Sequence, residues 1–302
     1  MKPGSVVKYG IPYQGSKTKI IEKIARFFPN ADNFYDLFGG GFSVCHYMIM
    51  HRKKSYKTFH FNEIRRGICE LVRDAIAGKY NYDVFKPEWI SRENFMAKKE
   101  SCAYTKIIWS FGNNGEDYLF GKDIESKKRS MHQAVIFDEF DGFMRDSFNI
   151  DRWPNDLTTT GKRLYLKLIT NERVELLQLE QLERLERLQQ LERLQQLEFT
   201  SLDYRKVSIK KNSIIYCDIP YKGTAGYGNE FNHAEFFDWA DKQENPVFIS
   251  EYQVNDKRFR LLKEINHRTT FSSDVNLAVK ERLYCNSKAL KYFKKELING
   301  KA

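Results

Sequence analysis

The feature that most constrains this chain is a short apolar run that ends in Asp36-Leu37-Phe38-Gly39-Gly40-Gly41 and then turns helical. Residues 33–38 read as a strand and residues 42–51 as a helix, followed by a second strand over 57–62 and a second helix over 64–77. A further helix is predicted over 16–28, with Ile20, Ile21, Ile24, Phe27 and Phe28 on one face and Pro29 ending it. This βαβα rhythm points to parallel strands joined by crossover helices, so the fold class is α/β. The rhythm is lost between about 85 and 199, where aromatics, charges and helix formers dominate. It returns with strands over 213–217, 247–250 and 282–285 and a helix over 234–241. The chain therefore divides into a discontinuous α/β domain, 1–84 with 200–302, and an inserted, mostly helical domain, 85–199.

Within the insertion, leucine occupies every third position: Leu179, Leu182, Leu185, Leu188, Leu191, Leu194 and Leu197. If 176–198 is one α-helix at about 100° per residue, each leucine falls roughly 60° behind the last, and the set spirals round the helix instead of forming a stripe. A coiled coil needs a period near 3.5 and is not expected. Three readings remain open: a spacer helix packed partly on its own domain and partly on a neighbour, an arm for self-association or partner contact, or a triplet-repeat turn.

With 50 Lys plus Arg against 40 Asp plus Glu, the net charge of +10 favours a polyanionic partner such as nucleic acid, though many basic proteins bind none. Aromatics make up 15% of the chain; most must serve the core, and some offer faces on which an unpaired base could stack. The five cysteines are odd in number and scattered, with no Cys/His spacing that binds zinc, so they read as reduced thiols of a cytoplasmic protein, with no metal expected. No hydrophobic leader and no membrane-spanning run is visible.

Four short motifs carry chemistry, and their order says more than any one alone. The glycines after Asp36 let a ligand approach the backbone beside a helix N-terminus, although such a turn can also be only a tight loop. Glu63, 27 positions after Asp36 and at the end of the next strand, is placed to accept from ribose hydroxyls, or is simply a solvated carboxylate. Asp218-Ile219-Pro220-Tyr221 follows the apolar strand Ile214-Ile215-Tyr216-Cys217 and so lies where open α/β sheets bind ligands. A carboxylate, a carbonyl next to proline and an aromatic face together can hold an amino-bearing planar ring. Tyr13-Gln14-Gly15-Ser16-Lys17 is a small-residue turn with a lysine at a helix start, which N-capping by Ser16 alone could explain.

On these residues the chain resembles the Dam-type, alpha-group DNA adenine N6-methyltransferases found in phages, prophages and restriction-modification systems. Tyr13 and Lys17 match that family's first motif, Asp36, Phe38 and Gly40 the second, and Asp218, Pro220 and Tyr221 its Asp-Pro-Pro-Tyr. Residues 199–203 resemble the Phe/Tyr-x-x-x-Asp segment that ends here in Asp203, and Glu281-Arg282-Leu283-Tyr284 a C-terminal segment. Ser110-Phe111-Gly112-Asn113-Asn114-Gly115 resembles a loop around which relatives build target recognition. The sequence departs from the pattern at Ile219, which replaces the first proline, and at Phe42, which stands where a glycine is often found.

The resemblance implies a Rossmann-like methyltransferase sheet with an inserted target-recognition domain, S-adenosyl-L-methionine as cofactor and double-stranded DNA as substrate. It assigns the catalytic role to Asp218, Ile219, Pro220 and Tyr221, and the cofactor to Tyr13, Lys17, Asp36, Phe38, Gly40, Glu63, Asp203 and Asp218. Asp218 and the Ile219 carbonyl would accept the two N6 protons of a flipped adenine on which Tyr221 stacks. DNA contact is expected from Asn113, Asn114, Lys122 and Arg152 of the insertion. Two rivals remain: a methyltransferase acting on RNA or a protein amide, and a non-catalytic DNA-binding or assembly protein on the same frame.

Overall fold

The computed structural model describes residues 7–82, 84–169, 176–192, 196–221, 231–270 and 276–293. It has two compact units: Met1–Gly10, Gly15–Cys69 and Leu194–Ala302 form one, and Ile11–Gln14 with Glu70–Arg193 the other. Their boundaries at 69/70 and 193/194 compare with 84/85 and 199/200 from the sequence. The first falls inside the helix Ile68–Ile76, so the second crossover helix contributes to both units.

The first unit holds a seven-stranded sheet of β1 (Asn33–Asp36), β2 (Thr58–Asn62), β3 (Leu197–Thr200), β4 (Ser213–Asp218), β5 (Val247–Glu251), β6 (Arg260–Thr270) and β7 (Asn276–Cys285). Their order is β3-β2-β1-β4-β5-β7-β6, with β1 to β5 parallel and β7 antiparallel to both of its neighbours. This is the expected Rossmann-like α/β sheet with a reversed hairpin added at one edge. All four residues of β1 and the first five of β4 are buried, as central parallel strands require. The chain leaves β1 in one direction and enters β4 from the other, so the crevice where ligands bind in such sheets lies at the carboxyl ends of these two strands.

Asn62 locks that end of the sheet. Its amide donates to the Leu37 and Leu202 carbonyls at 2.9 Å each, while its oxygen accepts from the Thr200 hydroxyl at 2.7 Å and the Leu202 N–H at 3.0 Å. One buried side chain thereby ties together the segments that leave β1, β2 and β3. The β6 strand was absent from the sequence reading because its run, Arg-Leu-Leu-Lys-Glu-Ile, alternates poorly and sits at a sheet edge, where charges are tolerated. The helix expected over 16–28 is broken into a 3₁₀ turn, Lys17–Lys19, and a short helix, Ile21–Ala25.

The second unit is mainly helical, with a core of Met131, Val135, Met144, Ile150, Leu166 and Leu179 among others. The leucine repeat departs from the single spiralling helix expected over 176–198. It forms an α-helix over Leu177–Glu186 and a 3₁₀ helix over Arg187–Leu191, while Leu197 belongs to β3. A 3₁₀ helix turns by three residues, so leucines three apart eclipse one another and the drift stops where the α-helix ends. Leu179, Leu182, Leu185 and Leu188 are fully buried and Leu191 is 2% exposed. These leucines are therefore core, and the expected arm for partners has no apolar stripe among them; Leu194 lies outside the described residues. Among the described residues no helix is long and apolar enough to cross a membrane.

Candidate active site

Two carboxylates mark the carboxyl ends of the central strands. Asp36 ends β1 opposite Tyr216, and Asp218 ends β4 two residues further on, opposite Ser250 of β5. After Asp36 the chain makes a tight turn in which Gly40 takes φ 49° and a Cβ on Gly39 would lie 2.1 Å from the Phe61 ring. Phe42, the departure from the family pattern, has φ 67° and immediately precedes the helix Ser43–Arg52. A glycine would take that conformation without strain; Phe42 instead buries its ring against Phe61 and Phe199. The departure is a packing solution for a left-handed turn.

Asp36 is 1% exposed. One carboxylate oxygen accepts from the Cys45 N–H in the first turn of that helix at 3.2 Å; the other, Oδ1, is buried and has no hydrogen-bond partner among the described residues. Burial, aided by the neighbouring Asp218 carboxylate, pushes the Asp36 pKa well above the usual carboxylate range. Beside it, Glu63 accepts the Gly40 N–H at 2.7 Å and the Arg65 N–H at 2.9 Å, one on each oxygen. Oε1 also lies 3.7 Å from the Arg65 guanidinium, and Oε2 keeps a further lone pair. Glu63 thus shapes the glycine turn directly, a role its position at a strand end did not reveal.

At the end of β4 the charges are paired. The Lys17 ammonium lies 2.8 Å from Asp218 Oδ2 and 3.0 Å from Glu281 Oε1, with side-chain exposures of 8% for Lys17, 20% for Asp218 and 5% for Glu281. The backbone N–H of Lys17 donates to the Ser43 hydroxyl at 3.2 Å, fixing the 3₁₀ turn to the helix that follows Asp36. The Tyr221 hydroxyl contacts both carboxylates, Asp218 Oδ1 at 3.2 Å and Glu281 Oε1 more closely. Its ring lies 4.9 Å from the Lys17 ammonium and 4.3 Å from the Tyr252 ring. Burial raises the Asp218 pKa, the Lys17 charge opposes this and the Glu281 carboxylate adds to it, leaving Asp218 above the ordinary range. Burial alone would lower the Lys17 pKa, and the two carboxylates reverse that. Burial and the same carboxylates push the Tyr221 phenol well up, so it remains a donor.

The rest of the tetrapeptide is anchored. The Ile219 side chain is 2% exposed and joins the core with Tyr35, Ile215 and Phe236, which accounts for a large aliphatic where relatives carry proline. The Pro220 carbonyl faces His233 Nε2 at 2.9 Å, at the start of the helix His233–Lys242.

The other predicted residues are placed as follows. Phe38 packs edge-on against Phe231 and Phe236. Asp203 is held by the Arg205 guanidinium at 2.7 and 2.8 Å and caps the turn Tyr204–Lys206. Tyr13 is half-buried and groups with the second unit. In that unit Asn113 donates to the Ile107 carbonyl at 2.8 Å, and Asn114 accepts from the Glu116 and Asp117 N–H groups while donating to the Asp117 carboxylate. The loop's own turn thus engages both asparagine side chains. Lys122 is exposed and lines a cleft of about 560 Å³ with Arg92, Lys128, Phe111 and Tyr118. Arg152 is exposed. The sequence reading missed Glu281 as a site residue, although one signal was present. Glu281, Leu283 and Cys285 alternate on one buried face of β7, and a carboxylate in such a series needs a partner.

The chain is 22% identical over 292 residues to the type II methyltransferase M.FokI of Planomicrobium okeanokoites, covering 88% of this chain and 37% of that protein. It therefore spans little more than a third of the length of that relative. A solved structure, the rRNA methyltransferase aviRa from Streptomyces viridochromogenes, aligns with a TM-score of 0.40 and 8% identity over 96% of this chain and 92% of that one, too loose a likeness to bear on function. The model of the D12 class N6 adenine-specific DNA methyltransferases matches residues 13–253, which include both strand-end motifs, and the chain belongs to that family.

Proposed function

We propose that this protein transfers a methyl group from S-adenosyl-L-methionine to the exocyclic N6 amine of an adenine flipped out of double-stranded DNA. The observation that carries the reading is the pair of carboxylates on adjacent strands at the switch point of the sheet, one with a free buried acceptor and one in the Asp-Ile-Pro-Tyr sequence beside a lysine.

Asp36 fits the cofactor side, because a buried carboxylate oxygen without a partner is costly unless a ligand donor meets it. Gly40 and Glu63 would line the same side, with the remaining Glu63 Oε2 lone pair available to ribose hydroxyls. Phe38 and Asp203 complete our assignment of the pocket, and Lys17 would bridge it to the catalytic end. When bound, S-adenosyl-L-methionine supplies a methyl on a positively charged sulfur, which is a strong electrophile.

Adenine N6 is a weak nucleophile, because its lone pair is delocalised into the ring. Asp218 Oδ1 and the Ile219 carbonyl would accept its two protons, draw the amine towards tetrahedral geometry and aim it. The Tyr221 ring would stack on the base, which must leave the duplex to reach this point. As the new N–C bond forms and the methyl–sulfur bond gives way, leaving S-adenosylhomocysteine, N6 would become cationic and acidic, and its proton would pass to Asp218 and on to water. No strong base is required for that step, so a carboxylate suffices.

We assign target recognition to the inserted unit. The cleft with Arg92, Lys122 and Lys128 suits phosphate oxygens, and Arg152 is free to approach a guanine edge. Asn113 and Asn114 would act by holding the 110–117 loop in shape. The test is to supply labelled cofactor to unmethylated duplex DNA, to RNA and to protein, and to identify the product by mass spectrometry of digested nucleosides. We expect N6-methyladenine in DNA alone. Label in RNA or in protein amide, or cofactor and DNA binding without transfer, would favour one of the rivals.

A further inference from the structure

The end of β4 carries two carboxylates and one ammonium, and only Asp218 belongs to the family's tetrapeptide. If Asp218 is to accept N6 protons, it needs a carboxylate oxygen that nothing else holds strongly. Yet Lys17 sits on Oδ2 at 2.8 Å, and the Tyr221 hydroxyl can turn to Oδ1 at 3.2 Å. A phenol has one proton, which the nearer acceptor takes. That acceptor is Glu281, whose contact with the Tyr221 oxygen is the shorter of the two, and which also shares the Lys17 ammonium at 3.0 Å. Exposure separates the two carboxylates further. Glu281 is 5% exposed and Asp218 is 20% exposed, so Glu281 lies behind and Asp218 faces outward.

We propose that Glu281 is a positioning residue that draws the Tyr221 hydroxyl and the Lys17 ammonium towards itself, keeping Asp218 Oδ1 open to the amine of the base. This rests on the adenine reading given above. Without the Glu281 charge, the Lys17 ammonium is left to Asp218 and the Tyr221 hydroxyl is drawn less to residue 281 and more to Asp218 Oδ1, so both Asp218 oxygens carry a donor. The base would then compete with a charge-assisted hydrogen bond for that oxygen, which lowers the rate about tenfold to a hundredfold.

The same change has an electrostatic signature. The groups facing Asp218 are Lys17 from the 3₁₀ turn, Asp36 from β1, Tyr216 and Tyr221 from β4 and the segment after it, Tyr252 just after β5, and Glu281 from β7. The adjacent Arg282 is engaged with Glu264 and the Tyr252 carbonyl. Glu281→Gln removes a like charge from Asp218 and leaves Lys17 to it alone. Both effects favour the ionised form of Asp218 and move its titration to lower pH. A merely structural glutamate would cost stability without moving that titration.

The experiment compares wild type, Glu281→Gln and Glu281→Asp in two readouts. One is the single-turnover rate of methyl transfer to unmethylated duplex DNA as a function of pH. The other is the carboxyl ¹³C titration of Asp218, assigned by its loss in Asp218→Ala, which needs no activity. Glu281→Gln should lose about tenfold to a hundredfold in rate, shift the acid limb and the Asp218 titration to lower pH, and leave S-adenosylhomocysteine affinity within about threefold. Glu281→Asp, which retracts the charge by one carbon, should be intermediate in both, and it decides the question if the glutamine variant does not fold. An unmoved Asp218 titration, or a shift to higher pH, overturns the proposal. A wild type that methylates no DNA overturns the adenine reading, while the carboxyl titration still decides whether Glu281 holds Lys17 and Tyr221.

Discussion

The ends of β1 and β4 lie side by side and each presents an aspartate, yet the protein treats them in opposite ways. Among the described residues, Asp36 is held by one backbone N–H and leaves a buried oxygen unmet. Asp218 meets an ammonium and a phenol, with a second carboxylate behind them. A site built only for stability would have paired both or neither. The difference fits a β1 end completed by a ligand and a β4 end held ready to act on one. In the reading proposed here the first takes the cofactor and the second the base.

The largest expected effect falls on the β4 end. Asp218→Ala should lower the methyl-transfer rate by on the order of 100-fold or more while leaving S-adenosylhomocysteine affinity within a few-fold, as measured by single-turnover kinetics and calorimetric titration. Full activity in that variant would remove the basis for separating the two ends.

The converse is expected at Asp36. Asp36→Asn should weaken cofactor binding about tenfold to a hundredfold, the cost of a charge-assisted hydrogen bond, with a smaller loss in rate once cofactor is saturating. It also carries a pH signature. The folded Asp36 pKa is raised by burial above its unfolded value, so the folded state binds the proton more tightly than the unfolded one. Wild type therefore loses stability relative to Asp36→Asn as the pH rises from about 4 towards the raised value. Urea unfolding of the cofactor-free proteins at about pH 5 and about pH 7 should show the gap widening in favour of the asparagine variant. A gap that is constant or narrows would mean that Asp36 is not held raised.

Smaller effects test what holds the β1 turn. Phe42→Gly relieves about 1–2 kcal/mol of left-handed strain but forfeits about 3–5 kcal/mol of ring burial. A net destabilisation of about 2 kcal/mol is expected in urea, and a gain in stability would refute the packing account of this residue. Glu63→Gln should weaken the cofactor only severalfold, because the Gly40 N–H can still meet an amide oxygen. A loss as large as that of Asp36→Asn would make Glu63, not Asp36, the principal acceptor on the β1 side.

How much of this was legible in the sequence follows from how local each cause is. The strand before Asp36, the glycine turn and the apolar run into Asp218 are written in a few consecutive residues, and they appear where expected. Glu281 lies in a strand far along the chain, and its role arises only when β7 inserts antiparallel beside β5. The leucine repeat admits an α-helix or a triplet-repeat turn, and both occur: its first half is α-helical and its second half winds as a 3₁₀ helix that brings every third residue into line. Asn113 and Asn114 show a different limit. Asparagine suits both a base edge and a tight turn, residue type does not choose between them, and in this loop both side chains take part in the turn.

The account rests on a division of labour between two neighbouring aspartates, and calorimetric titration of S-adenosylhomocysteine into wild type, Asp36→Asn and Asp218→Ala tests it most directly. The prediction is that affinity falls about tenfold to a hundredfold in Asp36→Asn and changes by no more than about threefold in Asp218→Ala. Equal losses in both variants, or a loss confined to Asp218→Ala, would contradict it.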